Sequence, residues 1–113
     1  MVTLICRPSA GGGREPAARR APDLDAMFVA SDLMAQGAIT ALERTGRRIP
    51  LDVAVGGFDD SQAAALSRPN LTTIRQPWDR ISSEMVRVLL ARIGGADPAA
   101  VILPTQAVRR GSA

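Results

Sequence analysis

Apolar and polar positions along the chain form two patterns, short apolar runs and longer stretches with helical spacing. Residues 26–30 and 52–58 consist mainly of apolar side chains and glycine, so both are predicted as buried strands. Residues 71–75 are rich in β-branched side chains and predict a third strand. We expect a short strand at residues 101–103, and residues 106–110 are a candidate for one more.

The stretches between these strands carry helix signals. Residues 33–44 repeat apolar positions at helical spacing after Ser31 and Asp32, and both of these residue types suit a helix start. A short Ala-rich helix is predicted within residues 61–68. A longer amphipathic helix is predicted with Pro77 in its first turn and an apolar stripe from Trp78 to Ile93. Because strands alternate with helices, the pattern predicts an α/β fold, with a parallel sheet flanked by helices.

The composition is that of one small folded domain, and it argues against two kinds of functional site. The 113 residues are 46% hydrophobic, enough for a modest core, but only 3% aromatic. The single cysteine, Cys6, cannot form an internal disulfide, and the chain has no histidine. Both facts argue against a zinc site and against a catalytic triad with a histidine base. We therefore expect no catalytic residue, no metal site and no cofactor.

The positive charge is spread along the chain. All 14 basic residues are arginines, and the formal net charge is +3. A DNA-binding face would concentrate its charge, whereas these arginines stand out only as pairs that lie far apart in sequence. We interpret the pairs as solvated surface rather than phosphate contacts; they are Arg19 with Arg20, Arg47 with Arg48, and Arg109 with Arg110.

The first 22 residues differ in composition from the rest. Residues 1–22 are rich in Gly, Pro and Arg, and we predict a poorly ordered leader there, followed by a domain over residues 23–113. Three consecutive glycines in the leader lack the Lys-Ser/Thr pair of a phosphate-binding loop. No stretch has the length of a signal peptide or a membrane span, so we expect a cytoplasmic protein without membrane contact.

Polar side chains follow three of the predicted strands at their carboxyl ends. They are Ser31 and Asp32 after the first strand, Asp59 and Asp60 after the second, and Gln76 after the third, with Trp78 two residues later. Ligands of open α/β sheets bind outside the carboxyl ends of the strands, where loops and helix starts converge. Such side chains suit the hydroxyls or amines of a small polyol, sugar or nucleobase.

Each of these residues also has a plainer interpretation. Helix capping alone accounts for Ser or Asp at a helix start. Trp78 lies on the apolar stripe of its helix, so core packing is an equal alternative to ligand stacking. The adjacent Asp59 and Asp60 suggest acid–base or Mg²⁺ chemistry, but neighbouring side chains usually point apart and no further carboxylate cluster supports a metal. An enzyme is therefore the weaker class.

Four segments together resemble the LacI/GalR family of transcription regulators. They are residues 25–38 (DAMFVASDLMAQGA), 48–60 (RIPLDVAVGGFDD), 71–77 (LTTIRQP) and 103–104 (LP). A lone GFDD is a weak signal, but the four segments occur in the family's order and spacing. The resemblance spans residues 23 to about 110.

The resemblance implies a partial periplasmic-binding-protein-like (type I) fold, which in complete form has two lobes with the effector in the cleft between them. Ser31, at a position often held by Asn, and Asp59, the first acid of GFDD, are implied effector contacts. Gln76 and Trp78 are implied to line the same cleft at a crossover between lobes. Residues 78–104 are implied to pack in a lobe whose other strands are missing here. The apolar stripe of the helix in this range must therefore fold back, pair with another chain or stay exposed; it consists of Trp78, Ile81, Met85, Val88 and Leu89.

The implied function is the effector-sensing part of a LacI-type regulator, with a small polar ligand, most simply a sugar. A homodimer is also implied, with Gln36 and Leu66 as interface candidates, although core packing is the alternative for Leu66. Operator DNA would be contacted only through a helix-turn-helix, and no segment of this sequence resembles one. The alternative function is a sugar-binding protein of a transport system, which would need an export signal.

Overall fold

The structure is a computed structural model that describes residues 24–113. In that range the elements are β1 (Ala26–Phe28), α1 (Asp32–Arg44), β2 (Ala54–Asp59), α2 (Gln62–Leu66), β3 (Thr72–Arg75), α3 (Trp78–Ile93) and β4 (Gln106–Val108). The predicted leader over residues 1–22 lies outside the described residues. The α/β class is confirmed.

The four strands of the described range form one sheet in the order β1-β2-β3-β4. β1 pairs with β2 in parallel and places Phe28 beside Gly56, and β2 pairs with β3 in parallel and places Asp59 beside Arg75. In a parallel sheet the carboxyl ends of neighbouring strands lie at one edge, and the connecting helices return the chain to the opposite edge. The loops after β1, β2 and β3 therefore converge.

One strand prediction is wrong and another is confirmed in part. Residues 101–103 form no strand, and Ile102 is 93% exposed. An apolar triplet becomes a strand only where a neighbouring strand takes up its hydrogen bonds, and sequence pattern does not reveal that neighbour. The candidate strand at residues 106–110 is present as β4, which ends at Val108.

The core lies between α1 and the sheet. α1 buries Ala35, Ile39 and Leu42, which are spaced four and three residues apart and so share one helix face. The buried apolar side chains of the described range are Leu24, Met27, Val29, Ala35, Ile39, Leu42, Val53, Val55, Ala64 and Leu71. Burial of such side chains is worth about 1.5–3 kcal/mol each for the larger ones, so this cluster holds the elements that carry the loops in place.

Ser112 joins the last residues of the chain to the middle of the sheet. Its side chain is buried, and its Oγ donates to the Val55 carbonyl at 2.6 Å and accepts from the Thr72 amide at 2.8 Å. The Val55 amide in turn donates to the Ser112 carbonyl at 2.8 Å. Each of these polar groups is satisfied inside the core, so the segment is fixed in register against β2 and β3.

The described chain divides into two compact units. The first, here called the sheet unit, contains residues 24–75 and 107–113, and the second, the helix unit, contains Gln76–Gln106. The chain therefore leaves the sheet unit after Arg75 and returns to it at Ala107. Two links connect the units: the outgoing crossing between Arg75 and Gln76, and the return crossing between Gln106 and Ala107.

Within the helix unit, α3 carries several large apolar side chains that are exposed. None of the residues of α3 is buried, and Met85, Val86, Leu89 and Leu90 are each more than half exposed. A groove of about 390 Å³ runs beside the apolar stripe of this helix and is lined by Ile81, Glu84, Met85, Val88, Val101 and Leu103. Whether the stripe folds back, pairs with another chain or stays exposed remains a prediction.

Candidate functional site

Ser31 is the N-cap of α1. Its backbone is extended, with φ −152° and ψ 156°, and its Oγ accepts a hydrogen bond from the Met34 amide at 3.3 Å. The capping interpretation is therefore correct for this residue. The side chain is only half-buried at the carboxyl end of the sheet, so capping leaves part of its surface open to a ligand.

Asp32, the next residue, connects all three strand ends. Its side chain is completely buried, and its two oxygens accept from the Thr73 hydroxyl at 2.5 Å and from the Ser61 amide at 2.7 Å. Thr73 lies on β3 and Ser61 follows β2, so one carboxylate joins the loop after β1 to both neighbours. A buried carboxylate needs such donors, since an unpaired one is expensive to desolvate. Asp32 thus positions the loops and does not contact solvent.

The Asp59–Asp60 turn at the end of β2 has an unusual backbone. Asp59 has φ +113° and Asp60 has φ +54°, both in the region that favours glycine. Two consecutive non-glycine residues in that region cost of order 1–3 kcal/mol each, and such strain persists only where surrounding contacts enforce it. The turn aims the two side chains away from the path that a regular strand would give them.

The side chain of Asp60 is held by two arginines. Its Oδ2 accepts from Arg75 Nε at 2.5 Å, and its Oδ1 accepts from Arg110 Nη2 at 2.6 Å. Burial opposes ionisation of this carboxyl and is the largest single influence on its pKa. The hydrogen bonds and positive charges of Arg110 and Arg75 together outweigh burial, so the pKa lies below its usual value. Asp60 is therefore an ionised partner of two cations.

The other two candidate ligand contacts lie in the helix unit. Gln76 is its first residue and is half-buried, and Trp78 begins α3 with 53% of its side chain exposed. The Trp78 amide donates to the Gln76 carbonyl at 3.0 Å, which fixes the start of the helix. Core packing, the alternative for Trp78, is not what the structure shows. Ser31 and Asp59, by contrast, belong to the sheet unit.

Gln36 and Leu66, the candidate interface residues, meet on one surface. They line a groove of about 300 Å³ between α1 and α2, together with Ile39, Thr40, Glu43, Ser67 and Arg68. Gln36 Nε2 donates to the Ala63 carbonyl at 3.0 Å and so ties the two helices together. Leu66 is 68% exposed, so the alternative of core packing is wrong for this residue.

Sequence reasoning missed three residues that shape the strand ends, Thr73, Arg75 and Arg110. Arg110 was expected to be solvated surface; instead it binds Asp60, donates to the Leu71 carbonyl at 2.9 Å, and has a side chain that is only 22% exposed. Arg75 had a usable signal, because a parallel register places it opposite the acids that end β2. Arg110 had none, since its partner lies 50 residues away in sequence.

The chemistry available at the strand ends is hydrogen bonding and charge. Among residues 24–113, no group of three or more Asp, Glu, Cys or His side chains is arranged to hold a metal ion. A search of the same residues finds no helix with the length and apolar character of a membrane span. The polar groups at this edge accept and donate hydrogen bonds, which suits recognition of a hydroxylated molecule.

Comparison with known proteins identifies the family. A periplasmic binding protein-like domain matches residues 3–113. The HTH-type transcriptional regulator CelR of Thermobifida fusca is 45% identical over 95 residues, which cover 82% of this chain and 28% of that protein. The regulator MalR of Streptomyces coelicolor is 45% identical over 85 residues, covering 75% of this chain and 25% of MalR. The chain thus spans about a quarter of the length of these relatives.

Solved structures agree. The complex of CelR with cellobiose superimposes with a TM-score of 0.79 at 44% identity and covers 85% of this chain and 30% of that one. The lac repressor dimer bound to operator and an anti-inducer superimposes with a TM-score of 0.73 at 32% identity, covering 84% of this chain and 34% of the repressor chain. The resemblance deduced from the sequence motifs is confirmed. The chain belongs to the periplasmic binding protein-like domain family, within the sensor domains of LacI-type transcriptional regulators.

Proposed function

We propose that this chain senses a small polar effector, most simply a sugar, for a LacI-type transcriptional regulator. The observation that carries the proposal is the strained turn at the end of β2, which presents Asp59 at the same sheet edge as Ser31. Likeness to CelR, which has been solved with cellobiose, supports a sugar. We assign Ser31, Asp59, Gln76 and Trp78 as ligand contacts.

Sugar binding is tested by NMR on the ¹⁵N-labelled chain, because amide shifts detect weak binding. Cellobiose is expected to cause saturable shifts at the amides of Ser31 and Asp59 and at the indole of Trp78, the only tryptophan. The Asp59→Ala variant should abolish them, because it removes the acceptor for sugar hydroxyls.

Asp52→Ala is the matched control, since Asp52 is a surface carboxylate whose partner is Arg48, and it should leave the shifts unchanged. Sorbitol at equal concentration controls for bulk polyol effects. Shifts that survive in the Asp59 variant would contradict the assignment. So would a lack of shifts with cellobiose and with a panel of other mono- and oligosaccharides.

A homodimer through the α1–α2 groove is the second part of the proposal. The groove carries one large exposed apolar side chain, Leu66, beside Gln36, whose amide is already fixed by Ala63. An exposed apolar centre with a polar rim is typical of protein interfaces.

The dimer proposal is tested by sedimentation velocity with Leu66→Arg. A buried cation at a symmetric interface is repelled by its own copy, so this variant should sediment as a monomer where the parent chain forms dimers. Leu51→Arg is the control, because Leu51 is as exposed but lies outside the groove. Unchanged dimerisation of the Leu66 variant would show that the interface lies elsewhere.

Regulation by this sensor would be a population shift. An effector that binds one conformation of the sensor more tightly favours that conformation, and the fit of the dimer on operator DNA changes with it. We assign DNA contact to a helix-turn-helix outside this chain and place the protein in the cytoplasm, where its operator would be. We propose no catalytic activity, because Asp60, the second acid of the pair considered for catalysis, is bound to Arg75 and Arg110.

A further inference from the structure

The two arginines that bind Asp60 lie on either side of the helix unit in sequence. Arg75 is the last residue before the outgoing crossing, and Arg110 is the fourth residue after the return crossing. Both guanidinium groups reach the same carboxylate, at 2.5 Å from Arg75 and 2.6 Å from Arg110. One side chain in the β2–α2 loop therefore binds one arginine near each of the two crossings.

Further contacts make this cluster of Asp60, Arg75 and Arg110 a defined structure. The Arg110 amide donates to Thr72 Oγ1 at 2.8 Å, and its side chain donates to the Leu71 carbonyl at 2.9 Å. The Asp60 carboxylate is only 9% exposed, so its ion pairs are less screened than those on the surface. Arg110 is thus anchored to β3 as well as to Asp60.

The same turn carries the proposed effector contact. Asp59 directly precedes Asp60, and both residues have the positive φ values that surrounding contacts must enforce. The Asp60 amide faces Thr73 Oγ1 at 3.4 Å, and Thr73 in turn donates to the buried Asp32. The residue next to the proposed effector contact is therefore the one that binds the two arginines nearest the crossings.

We propose that Asp60 is a positioning residue that couples the effector-contacting turn at Asp59 to the outgoing and return crossings through Arg75 and Arg110. The coupling to effector rests on the proposed sensing function, whereas the clamping of the crossings does not. An ion pair that only stabilised the sheet unit would support all of its elements alike. An ion pair that clamps the crossings would instead stabilise mainly the backbone next to each crossing.

Hydrogen–deuterium exchange of the whole chain tests the clamp without any ligand. Asp60→Asn keeps the shape of the side chain but removes the charge, and it should speed amide exchange about tenfold at the residues of both crossings. Core amides of Ile39, Leu42 and Val55 should speed up less than those beside the crossings, by no more than the loss of global stability. Asp52→Asn, which breaks the surface pair with Arg48, is the control and should leave the crossings unchanged.

Variants that remove one of the two arginines at a time sharpen this test, and they replace it if the Asp60→Asn chain does not fold. Arg75→Gln should speed exchange only at the outgoing crossing, and Arg110→Gln only at the return crossing. Equal acceleration throughout the sheet unit, or no acceleration at either crossing, would overturn the clamp.

The coupling to effector is read from the NMR titration, with cellobiose or the panel sugar that shifts the Asp59 amide most. In the parent chain, sugar should shift Asp59 together with the amides of residues 76 and 107–110. In Asp60→Asn the Asp59 shift should persist and the crossing shifts should disappear. Crossing shifts that persist in the variant overturn the coupling, whereas a parent chain without any Asp59 shift contradicts the sensing function alone.

Discussion

Gly57 lies at a point on β2 where neighbouring side chains leave no room for another atom. A Cβ built on it would lie 2.5 Å from Asp32 Oδ1 and 2.6 Å from Leu71 Cδ2. Because Gly57 has no side chain, the Asp32 carboxylate fits against β2, where it accepts hydrogen bonds from the Thr73 hydroxyl and the Ser61 amide. At this position glycine is required by close approach rather than by backbone angle.

We expect Gly57→Ala to destabilise the chain by about 1–3 kcal/mol, because overpacking here displaces either the buried carboxylate or Leu71. The matched control is Gly37→Ala in α1, where an added Cβ meets nothing within 4 Å. That change should stabilise the chain by about 0.5–1 kcal/mol, as alanine is the better helix former. Urea unfolding midpoints measure both, and equal midpoints for the two variants would refute the steric argument.

At the scale of elements, the strand ends are joined by charge as well as by backbone. The Asp60 cluster links the loop after β2 to the end of β3 and to the segment after β4. Asp60 has a lowered pKa in the folded chain because the two arginines outweigh its burial. Protonation of Asp60 therefore breaks contacts between three elements at once.

The pH dependence of stability follows from the sign of that shift. A carboxyl with a depressed pKa in the folded state contributes stability above its unfolded pKa, about 3.9, and loses it as the pH falls through the folded value. We expect the free energy of unfolding to fall below about pH 4, and Asp60→Asn to flatten that fall. Asp52, whose pKa is also lowered by hydrogen bonds from Arg48, contributes less because the pair is solvent-exposed. Urea titrations between pH 2 and 7 measure this, and parallel curves for parent and variant would contradict it.

Sequence patterns predicted most of the helices and strands, but they did not predict the long-range contacts between them. The predicted helix ends at 44 and 93 are the observed ones, because spacing and glycine stops are local signals. The candidate contacts at the strand ends could be proposed because parallel strands share an edge, and they stay predictions. Bonds such as Asp32 to Thr73 or Arg110 to Asp60 join residues 41 and 50 positions apart, and no local pattern encodes them.

At the scale of the whole chain, the helix unit exposes an apolar face. The side chains of Met85, Val86, Leu89 and Leu90 stay accessible on α3. Exposed apolar patches of this kind bind other apolar surfaces, since their burial releases water. The sequence predicted an apolar stripe on this helix, and its partner stays a prediction.

We expect this face to bind an environment-sensitive apolar dye at neutral pH under native conditions. Replacing Met85 and Leu89 together by Glu should reduce the fluorescence of the bound dye several-fold, because charge on the stripe repels apolar contact. Ser82→Glu adds charge elsewhere on the same helix and should leave dye binding unchanged. Dye fluorescence that is equal in the double variant and the parent would show that the dye binds elsewhere.

The contacts of Ser112 determine when the sheet can be completed during translation. Its hydroxyl and carbonyl bond to Val55, 57 residues earlier, so β2 acquires these partners only after almost all of this sequence has been translated. The helix unit is translated before residues 107–113, so the sheet still lacks its last segment while the helix unit is being made. A ribosome that stalls between codons 76 and 107 would carry a chain with an incomplete sheet and an exposed apolar helix, a state suited to capture by chaperones.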